Sequence, residues 1–296
     1  MMKLIADSGA TKTDWACITN DRRCIRFSSA GYNPNYITAD WIVEDITSAF
    51  PSDLNLDEIC EVFFYGAGIT KLLEPFMKSA LQQAFPKATK ISAATDLIGA
   101  SRALLGDRSG FAAILGTGMN SGIYDGKEIA FRVGSLGFIL GDEGSGAYLG
   151  KLLIRDFMRH RMSDRVYEIV KDRIRMTDDQ LIDQIYKKPM PNRFCAQFGP
   201  FIKENLHRDD YFYRLVRNSF TAMFEKIIFH YPAYEKYEFN SVGSIAYCFR
   251  DILAETAHAY QMRMGIILRY PLDGLITYHN ESLQATEDAV TAFNDS

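Results

Sequence analysis

The sequence predicts an α/β protein made of two domains that share one order of elements. Twice along the chain, a short apolar strand leads into a glycine-containing turn, a second strand, a polar turn and a third strand. In both halves these strands alternate with helical patterns. The chain has 296 residues, of which 47% are hydrophobic, so it is long enough for two cores.

In the first half, apolar runs bounded by turn residues define the elements. The helix over 38–50, for example, rests on Trp41, Ile42, Ile46 and Phe50, which recur at near-helical spacing. The predicted elements are strands over 3–6, 15–19 and 24–28, a helix over 38–50, a strand over 62–65, a helix over 72–85, a strand over 91–94 and a helix over 97–105.

The second half restarts the pattern after a hinge at 107–110. Asp125-Gly126 is a strong hairpin signal between two of its strands. The predicted elements are strands over 111–115, 122–124 and 128–133, a helical block over 144–231, a strand over 239–242, a helix over 245–260 and a strand over 264–268. The predicted domains are 1–108 and 109–279, with a helical insert at about 150–232 and a C-terminal helix over 280–296 that packs back on the first domain.

Composition excludes several function classes. The formal net charge of −4 argues against nucleic acid or an anionic membrane as the main partner. The five cysteines are scattered without zinc spacing, which fits a reducing compartment. Asp7 interrupts the first apolar run too early for a signal peptide. No apolar stretch approaches the roughly 20 residues that span a bilayer. We therefore expect a cytoplasmic protein that acts on a small molecule.

The first glycine turn follows Leu4-Ile5-Ala6 and carries candidate phosphate contacts. Gly9 allows close approach of a ligand, while Thr11 and Lys12 offer a hydroxyl and a positive charge. Asp7 closes the strand and can hold Mg²⁺ directly or through water. The alternative is an ordinary hairpin with a polar tip.

The second turn, Gly116-Thr117-Gly118, has the same character and the same alternative. A simple hairpin tip need not occur twice in this form, so the pair of turns favours a nucleotide held through its phosphates. Asp96 lies between a strand and a helix. It is either a helix N-cap or a general base that deprotonates a hydroxyl.

Three further segments combine glycine with polar side chains. Gly141-Asp142-Glu143-Gly144-Ser145-Gly146 opens a long helix, and its flanking glycines suit close approach of a hydroxylated ligand. Asn33 lies in the turn Gly31-Tyr32-Asn33-Pro34, where an amide can bind a polyol or simply form the turn. Gly243-Ser244 joins a strand to a helix, where a nucleoside can lie against it; the alternative is a simple tight junction between the two elements.

Taken in order, these motifs resemble the N-acetylglucosamine kinase and BadF/BadG/BcrA/BcrD ATPase family of the sugar kinase, Hsp70 and actin superfamily. The resemblance runs from about residue 3 to residue 280. It implies two ribonuclease H-like, actin-like ATPase domains with an interdomain cleft, ATP and Mg²⁺ as cofactors, and a homodimer as the assembly to consider. Ser8 and Ala10 stand in a turn that is often richer in glycine in this family.

The resemblance also implies site roles. Asp96 matches the catalytic base, and Asp7 matches the residue that organises Mg²⁺. The cofactor contacts implied are Asp7, Gly9, Thr11, Lys12, Gly116, Thr117, Gly118, Gly243, Ser244 and Cys248. The sugar contacts implied are Asn33, Met119, Asn120, Ser135, Leu136, Gly137 and Asp142.

The function predicted from the sequence is ATP-dependent phosphorylation of an amino sugar, with N-acetylglucosamine giving its 6-phosphate. Two alternatives stay open. One is an ATPase that activates a partner enzyme, as the dehydratase activators of the family do with an iron–sulfur cluster. The other is a sugar sensor that binds without phosphoryl transfer.

Overall fold

A computed structural model describes residues 2–9, 11–34 and 37–280 of the chain. The chain divides into two compact units. Unit 1 comprises Met1–Arg108, Gly126–Glu128 and Tyr270–Ser296, and unit 2 comprises Ser109–Asp125 and Ile129–Arg269. Within the described residues, no helix is both long enough and apolar enough to span a membrane.

Unit 1 is built on a five-stranded mixed sheet with the order β3-β2-β1-β4-β5. Its first three strands are antiparallel, whereas β1, β4 and β5 run parallel. The elements are β1 (Met2–Ser8), β2 (Lys12–Ile18), β3 (Cys24–Ala30), α1 (Ala39–Ala49), β4 (Ile59–Gly66), α2 (Glu74–Ala84), β5 (Lys90–Thr95) and α3 (Asp96–Leu105).

The two faces of this sheet have different cores because successive side chains of a strand point to opposite sides. Leu4 and Trp15 face α1 and α2, in a core that includes Ile42 and Met77; we call this side the α1–α2 face. Ile5 and its neighbours face the opposite way, and we call this side the α3 face. Its core contains Ile5, Ala16, Phe63, Tyr65, Leu272 and Leu275, with Ile98 of α3 packed against them.

Unit 2 repeats the topology of unit 1. Its five-stranded sheet has the order β10-β9-β6-β7-β8; read from the β8 edge, this is the strand order of the first sheet read from the β3 edge. Again three strands are antiparallel and the other pairs are parallel. The strands are β6 (Gly110–Leu115), β7 (Met119–Tyr124), β8 (Ile129–Phe131), β9 (Glu238–Val242) and β10 (Arg263–Leu268). The duplication predicted from the sequence is therefore confirmed at the level of the sheets.

The helical block between β8 and β9 packs on this second sheet. Apolar faces of α5 and α10 join Phe111 and Phe239 of the strands in one core, through side chains such as Leu153 and Phe220. The helices of unit 2 are α4 (Gly137–Leu140), α5 (Gly146–Met158), α6 (Asp164–Ile174), α7 (Asp178–Tyr186), α8 (Pro191–Ala196), α9 (Phe198–Asn205), α10 (Asp210–Lys226), α11 (Ser244–Cys248) and α12 (Arg250–Ala259).

Three details differ from the sequence prediction. The helix expected over 245–260 is interrupted at Phe249, whose φ of −113° and ψ of 25° are not helical. The strand expected over 128–133 is shorter, at Ile129–Phe131. Residues 270–279 cluster with unit 1 rather than unit 2, because Leu272 and Leu275 are buried against Ile5 and Phe63. The helix predicted over 280–296 lies outside the described residues, apart from Asn280.

Candidate active site

The predicted site residues of unit 1 lie at the ends of three strands: in the turn after β1, directly after β5, and in the loop after β3. Gly9, Thr11 and Lys12 form the exposed tip of the β1–β2 hairpin, where the Gly9 amide donates to the Lys12 carbonyl at 2.9 Å. The Lys12 ammonium lies 2.6 Å from Asp14 Oδ1. Lys12 therefore presents its charge to this edge as part of an ion pair, which the sequence prediction did not include.

Carboxylates converge beside this tip. Asp7 is directly opposite Asp14 in the β1–β2 register, so both side chains lie on the α3 face. Burial, followed by the negative charges of Asp96 and Asp14, raises the pKa of Asp7 to about 7. Carboxylate oxygens are ligands that a hard cation prefers, so Asp7 is a candidate ligand, although it does not form a three-carboxylate site with Asp14 and Asp96. Asp14 was missed from the sequence, although its place opposite Asp7 follows once the hairpin register is known.

Asp96 is the first residue of α3, directly after β5. Thr95 is the N-cap, and its hydroxyl accepts from the Leu97 amide at 3.1 Å. The interpretation of Asp96 as the cap itself is therefore wrong by one position. Asp96 Oδ1 also accepts from the Leu97 amide at 2.8 Å, which fixes the carboxylate at the positive end of the helix.

Close packing holds α3 against the sheet. A Cβ on Gly99 would lie 2.7 Å from Tyr65 Cβ, a separation that only glycine avoids. The carboxylate of Asp96 thus stands on a helix whose first turn is capped and whose next turn is in contact with β4.

Asn33 follows β3 in a short loop and lies against the turn after β4. A Cβ on Gly68 would approach Asn33 Oδ1 to 2.6 Å, and Gly68 has φ of +80°. Both constraints require glycine there, so the Asn33 amide rests directly on the backbone. Tyr32, the residue before it, is fully buried.

The predicted residues of unit 2 gather around the start of α5. The Gly116 amide donates to the Gly118 carbonyl at 3.1 Å, which closes the second turn. The carbonyls of Gly116 and Thr117 accept from the Gly146 and Ala147 amides at 2.8 and 3.0 Å. The turn therefore binds the first amides of α5 and holds it in place.

Gly243 is packed against the same turn. Its φ is +119°, and a Cβ there would lie 2.3 Å from the Leu115 carbonyl and 3.2 Å from the Gly116 amide nitrogen. Only glycine satisfies both conditions. Ser244 follows as the first, exposed residue of α11. The turn predicted for phosphate and the turn predicted for the nucleoside are thus neighbours.

Asp142 occupies a buried position next to the second turn. Its backbone has φ of 58°, which is uncommon for a residue other than glycine. Its amide donates to the Ser135 carbonyl at 2.8 Å, and its Oδ1 accepts from the Met119 amide at 3.3 Å. Burial raises the pKa of Asp142, against the opposing effects of the Met119 amide, Lys151 and the Ser135 hydroxyl.

The predicted sugar and nucleotide contacts differ in how far their side chains are exposed. The Met119 side chain is 4% exposed and belongs to the core, so only its backbone is available to a ligand. Cys248 is partly buried against that core. Leu136 is 69% exposed with φ of 59°, Gly137 has φ of +71°, and Asn120 follows Met119 on β7.

Lys151 is a residue of this region that the sequence prediction missed. Its ammonium donates to the Phe138 carbonyl at 2.7 Å and lies over the rings of Phe138 and Tyr148. Burial lowers the pKa of Lys151, while the neighbouring Glu143 and Asp142 oppose that effect. Its spacing from Asp142 is not a recognised pattern, so the sequence offered no signal for it.

Comparison with solved structures identifies a relative that is similar over nearly the whole chain. No family model matches the chain, and no curated protein matches it. A proposed N-acetylglucosamine kinase from Porphyromonas gingivalis is 37% identical, covers 94% of this chain and 98% of its own, and superposes with a TM-score of 0.88.

Two more distant structures support the fold alone. A proposed N-acetylglucosamine kinase from Chromobacterium violaceum is 17% identical, covers 94% and 98% of the two chains, and has a TM-score of 0.70. A ROK family glucokinase from Streptomyces griseus, solved with glucose and AMPPNP, is 15% identical with the same coverage and a TM-score of 0.54. Identity and coverage of the first relative, with the duplicated sheets, show that the chain belongs to the N-acetylglucosamine kinase and BadF/BadG/BcrA/BcrD ATPase family.

Proposed function

We propose that the protein is an ATP-dependent carbohydrate kinase that phosphorylates an amino sugar, with N-acetylglucosamine and its 6-hydroxyl as the first acceptor to test. The observation that carries this proposal is the position of Asp96. Its carboxylate is oriented by the Leu97 amide, at 2.8 Å, while Thr95 meets the need for a helix cap. The relative from Porphyromonas gingivalis supports the same class of activity.

In the proposed reaction, Asp96 accepts the proton of the sugar hydroxyl while the hydroxyl oxygen bonds to the γ-phosphorus of ATP. The bond from that phosphorus to the β,γ-bridging oxygen breaks, and ADP leaves. Phosphoryl transfer depends mainly on positioning and charge stabilisation, so the protein needs to supply one correctly placed general base and no covalent intermediate. In unit 2, the buried Asp142 accepts hydrogen bonds from sugar hydroxyls together with Asn120 and Ser135. In unit 1, Asn33 contributes its amide.

The nucleotide contacts are assigned to each unit separately. In unit 1 they are the tip residues Gly9, Thr11 and Lys12, whose amides and hydroxyl suit phosphate oxygens. In unit 2, Gly116, Thr117 and Gly118 play the same part. Gly243, with its close approach to the Gly116 amide, and the exposed Ser244 suit the nucleoside.

Asp7 fits a role in holding Mg²⁺. Two neighbouring carboxylates contribute to the raised pKa of Asp7, and a bound cation relieves that repulsion. Among the residues that the structure describes, no group of three or more His, Cys, Asp or Glu is arranged to hold a metal ion. Water and phosphate oxygens would therefore complete the shell, as Mg²⁺ prefers. When bound, the ion neutralises charge that develops on the phosphates.

Two of the five cysteines, Cys17 and Cys195, are poorly suited to the iron–sulfur cluster that the dehydratase-activator alternative requires. Burial raises the pKa of Cys17 to about 11 and that of Cys195 to about 12. Iron–sulfur clusters are bound by thiolates, so these two side chains are poor ligands. A sugar kinase requires neither.

The test is ADP formation from MgATP across a panel of N-acetylglucosamine, N-acetylmannosamine, N-acetylmuramic acid, glucosamine and glucose. We expect ADP release that depends on the sugar and is largest for one N-acetylated member. ADP release that is the same with and without every sugar would contradict the proposed function.

A further inference from the structure

A buried chain of hydrogen bonds joins the first turn to the loop that carries Asn33. Ser8 ends β1, and Thr13 lies opposite it on β2. The two hydroxyl oxygens are 2.7 Å apart, and both side chains are almost fully buried. A buried hydroxyl that loses its partners costs about 1–3 kcal/mol, so these groups are held firmly in their mutual contacts.

The direction of the chain follows from the number of hydrogens. Thr13 Oγ1 donates its one hydrogen to the Ala30 carbonyl at 2.7 Å. Ser8 therefore donates to Thr13. Ser8 Oγ in turn accepts from the backbone amide of Tyr32 at 3.1 Å. Each of the two hydroxyls thus donates one hydrogen bond and accepts one.

The side chain of Tyr32 is fixed at its far end. Its hydroxyl lies 2.6 Å from Asp45 Oδ2 on α1, and the same carboxylate oxygen accepts from the Ala30 amide at 3.1 Å. The ring is stacked on Phe64, with centroids 6.2 Å apart. Tyr32 is thus held at both ends, by its side chain on Asp45 and Phe64 and by its backbone amide on Ser8, and that amide is the contact next to Asn33 in sequence.

Ser8 also holds the surface against which Asn33 rests. The Ser8 carbonyl accepts from the Ala67 amide at 2.9 Å, and the next residue is the Gly68 that touches the Asn33 amide. One residue at the end of β1 thus binds the loop before Asn33 through its hydroxyl. It binds the turn below Asn33 through its carbonyl.

We propose that Ser8 is a positioning residue for sugar recognition, acting through the Tyr32 amide to hold Asn33 in its binding orientation. The inference rests on the proposed function. Ser8 and Thr13 point to the α1–α2 face, whereas Asp7 and Asp14 point to the α3 face. The Ser8 hydroxyl is thus turned away from the carboxylates, and its loss acts on sugar affinity more than on nucleotide affinity.

Two substitutions remove hydroxyls from this series of hydrogen bonds, and matched variants control for effects on stability. Ser8→Ala and Thr13→Val each remove the hydrogen bond between the two hydroxyls, while Thr13→Ser keeps the hydroxyl. Thr256→Val is the control, because Thr256 is also buried and also donates to a backbone carbonyl, that of Ile252, at 2.7 Å. It lies on α12 of unit 2, and no site role is assigned to it.

With N-acetylglucosamine and MgATP as probes, we expect Ser8→Ala and Thr13→Val to raise the sugar KM by about tenfold and to leave the ATP KM within about twofold. Thr13→Ser should stay close to the wild-type sugar KM, and so should Thr256→Val. An unchanged sugar KM in both Ser8→Ala and Thr13→Val, or an equal rise for both substrates, would overturn the inference.

Hydrogen exchange gives a readout that needs no substrate. Peptides covering Tyr32 and Asn33 should exchange about tenfold faster in Ser8→Ala than in the wild type, and Thr256→Val should leave them unchanged. Unchanged exchange there refutes the positioning role, whichever sugar is used. A wild type that phosphorylates none of the sugars counts against the proposed function instead, and the exchange result still decides the role of Ser8.

Discussion

Asp96 combines two features that a general base needs, a fixed orientation and a supporting helix end. The Leu97 amide donates to its Oδ1 at 2.8 Å, and Thr95 occupies the cap position. A purely structural role would be met by Thr95 alone. The carboxylate is thus better explained by chemistry than by helix stability.

The variant Asp96→Asn tests that assignment. The amide oxygen can still accept from Leu97, so we expect folding and nucleotide binding to persist. Turnover should fall by roughly 10²–10⁴, the usual contribution of a general base. The matched control is Asp40→Asn, another first-turn aspartate of unit 1, in α1, which should retain wild-type turnover. Near-normal kcat in Asp96→Asn, measured by ADP release, would remove Asp96 as the base.

Asp142 is held where ionisation is unfavourable, so the sugar-binding role that we propose for it would be accompanied by a loss of stability. Burial raises its folded-state pKa above the unfolded value, so the ionised form lowers stability at neutral pH. We expect Asp142→Asn to weaken sugar binding by at least about tenfold while its melting temperature at pH 7 is equal to or above that of the wild type. The difference in melting temperature should shrink toward pH 4. Lower stability with intact sugar affinity would contradict a binding role.

For single residues, the sequence identified candidates that stand in a local pattern, but it did not identify residues whose position depends on contacts between elements. Asp7, Asp96 and Asp142 were chosen as candidates because each follows an apolar run or stands among glycines, and their roles stay predictions. Asp14 and Lys151 were not, because their importance depends on a strand register and on a contact with the Phe138 carbonyl. Met119 was assigned to the sugar by resemblance, and its burial leaves only its backbone for that role.

The helix that begins at residue 272 is joined to unit 1 by a buried polar network. His279 Nε2 lies 2.8 Å from the Tyr65 hydroxyl, and its ring stacks on Phe63 at 3.9 Å between centroids. Lys3 donates to the His279 carbonyl at 2.9 Å. Burial, then the positive charges of Lys3, Arg102 and Lys90, lowers the pKa of His279 to about 3.

This depressed pKa predicts acid sensitivity of the element. Between about pH 6.5 and pH 3 the unfolded chain takes up a proton that the folded His279 refuses, so stability falls as pH falls. The group contributes up to about 1.4 kcal/mol per pH unit in that range. We expect His279→Phe to be less stable than the wild type at pH 7 but to lose less free energy of unfolding between pH 6.5 and pH 4. Equal losses, measured by urea denaturation, would show that His279 titrates normally in the folded state.

Elements were predicted well where the hydrophobic pattern was strong. The strand, turn and strand order of each half, the helix at α1 and the helical block of unit 2 follow from apolar spacing. The break at Phe249 and the place of 270–279 did not, because tertiary packing decides both. The spacing of apolar residues alone did not show that 270–279 packs with the first sheet.

For the whole molecule, the two sheets with one topology are the structural basis of the proposed function. Each unit ends its first strand in a turn rich in small and hydroxyl residues, and each turn has a carboxylate beside it, Asp7 or Asp142. The net charge of −4 is no obstacle to a nucleotide, because turn amides and helix ends set the local field.

The most direct test of the kinase proposal is ³¹P NMR of the wild-type protein with MgATP and N-acetylglucosamine. The account predicts a sugar 6-phosphate resonance that grows in step with ADP and is absent when the sugar is omitted. ADP and inorganic phosphate as the only products, with the sugar unchanged, would contradict it, and so would ATP that stays intact with every amino sugar tried.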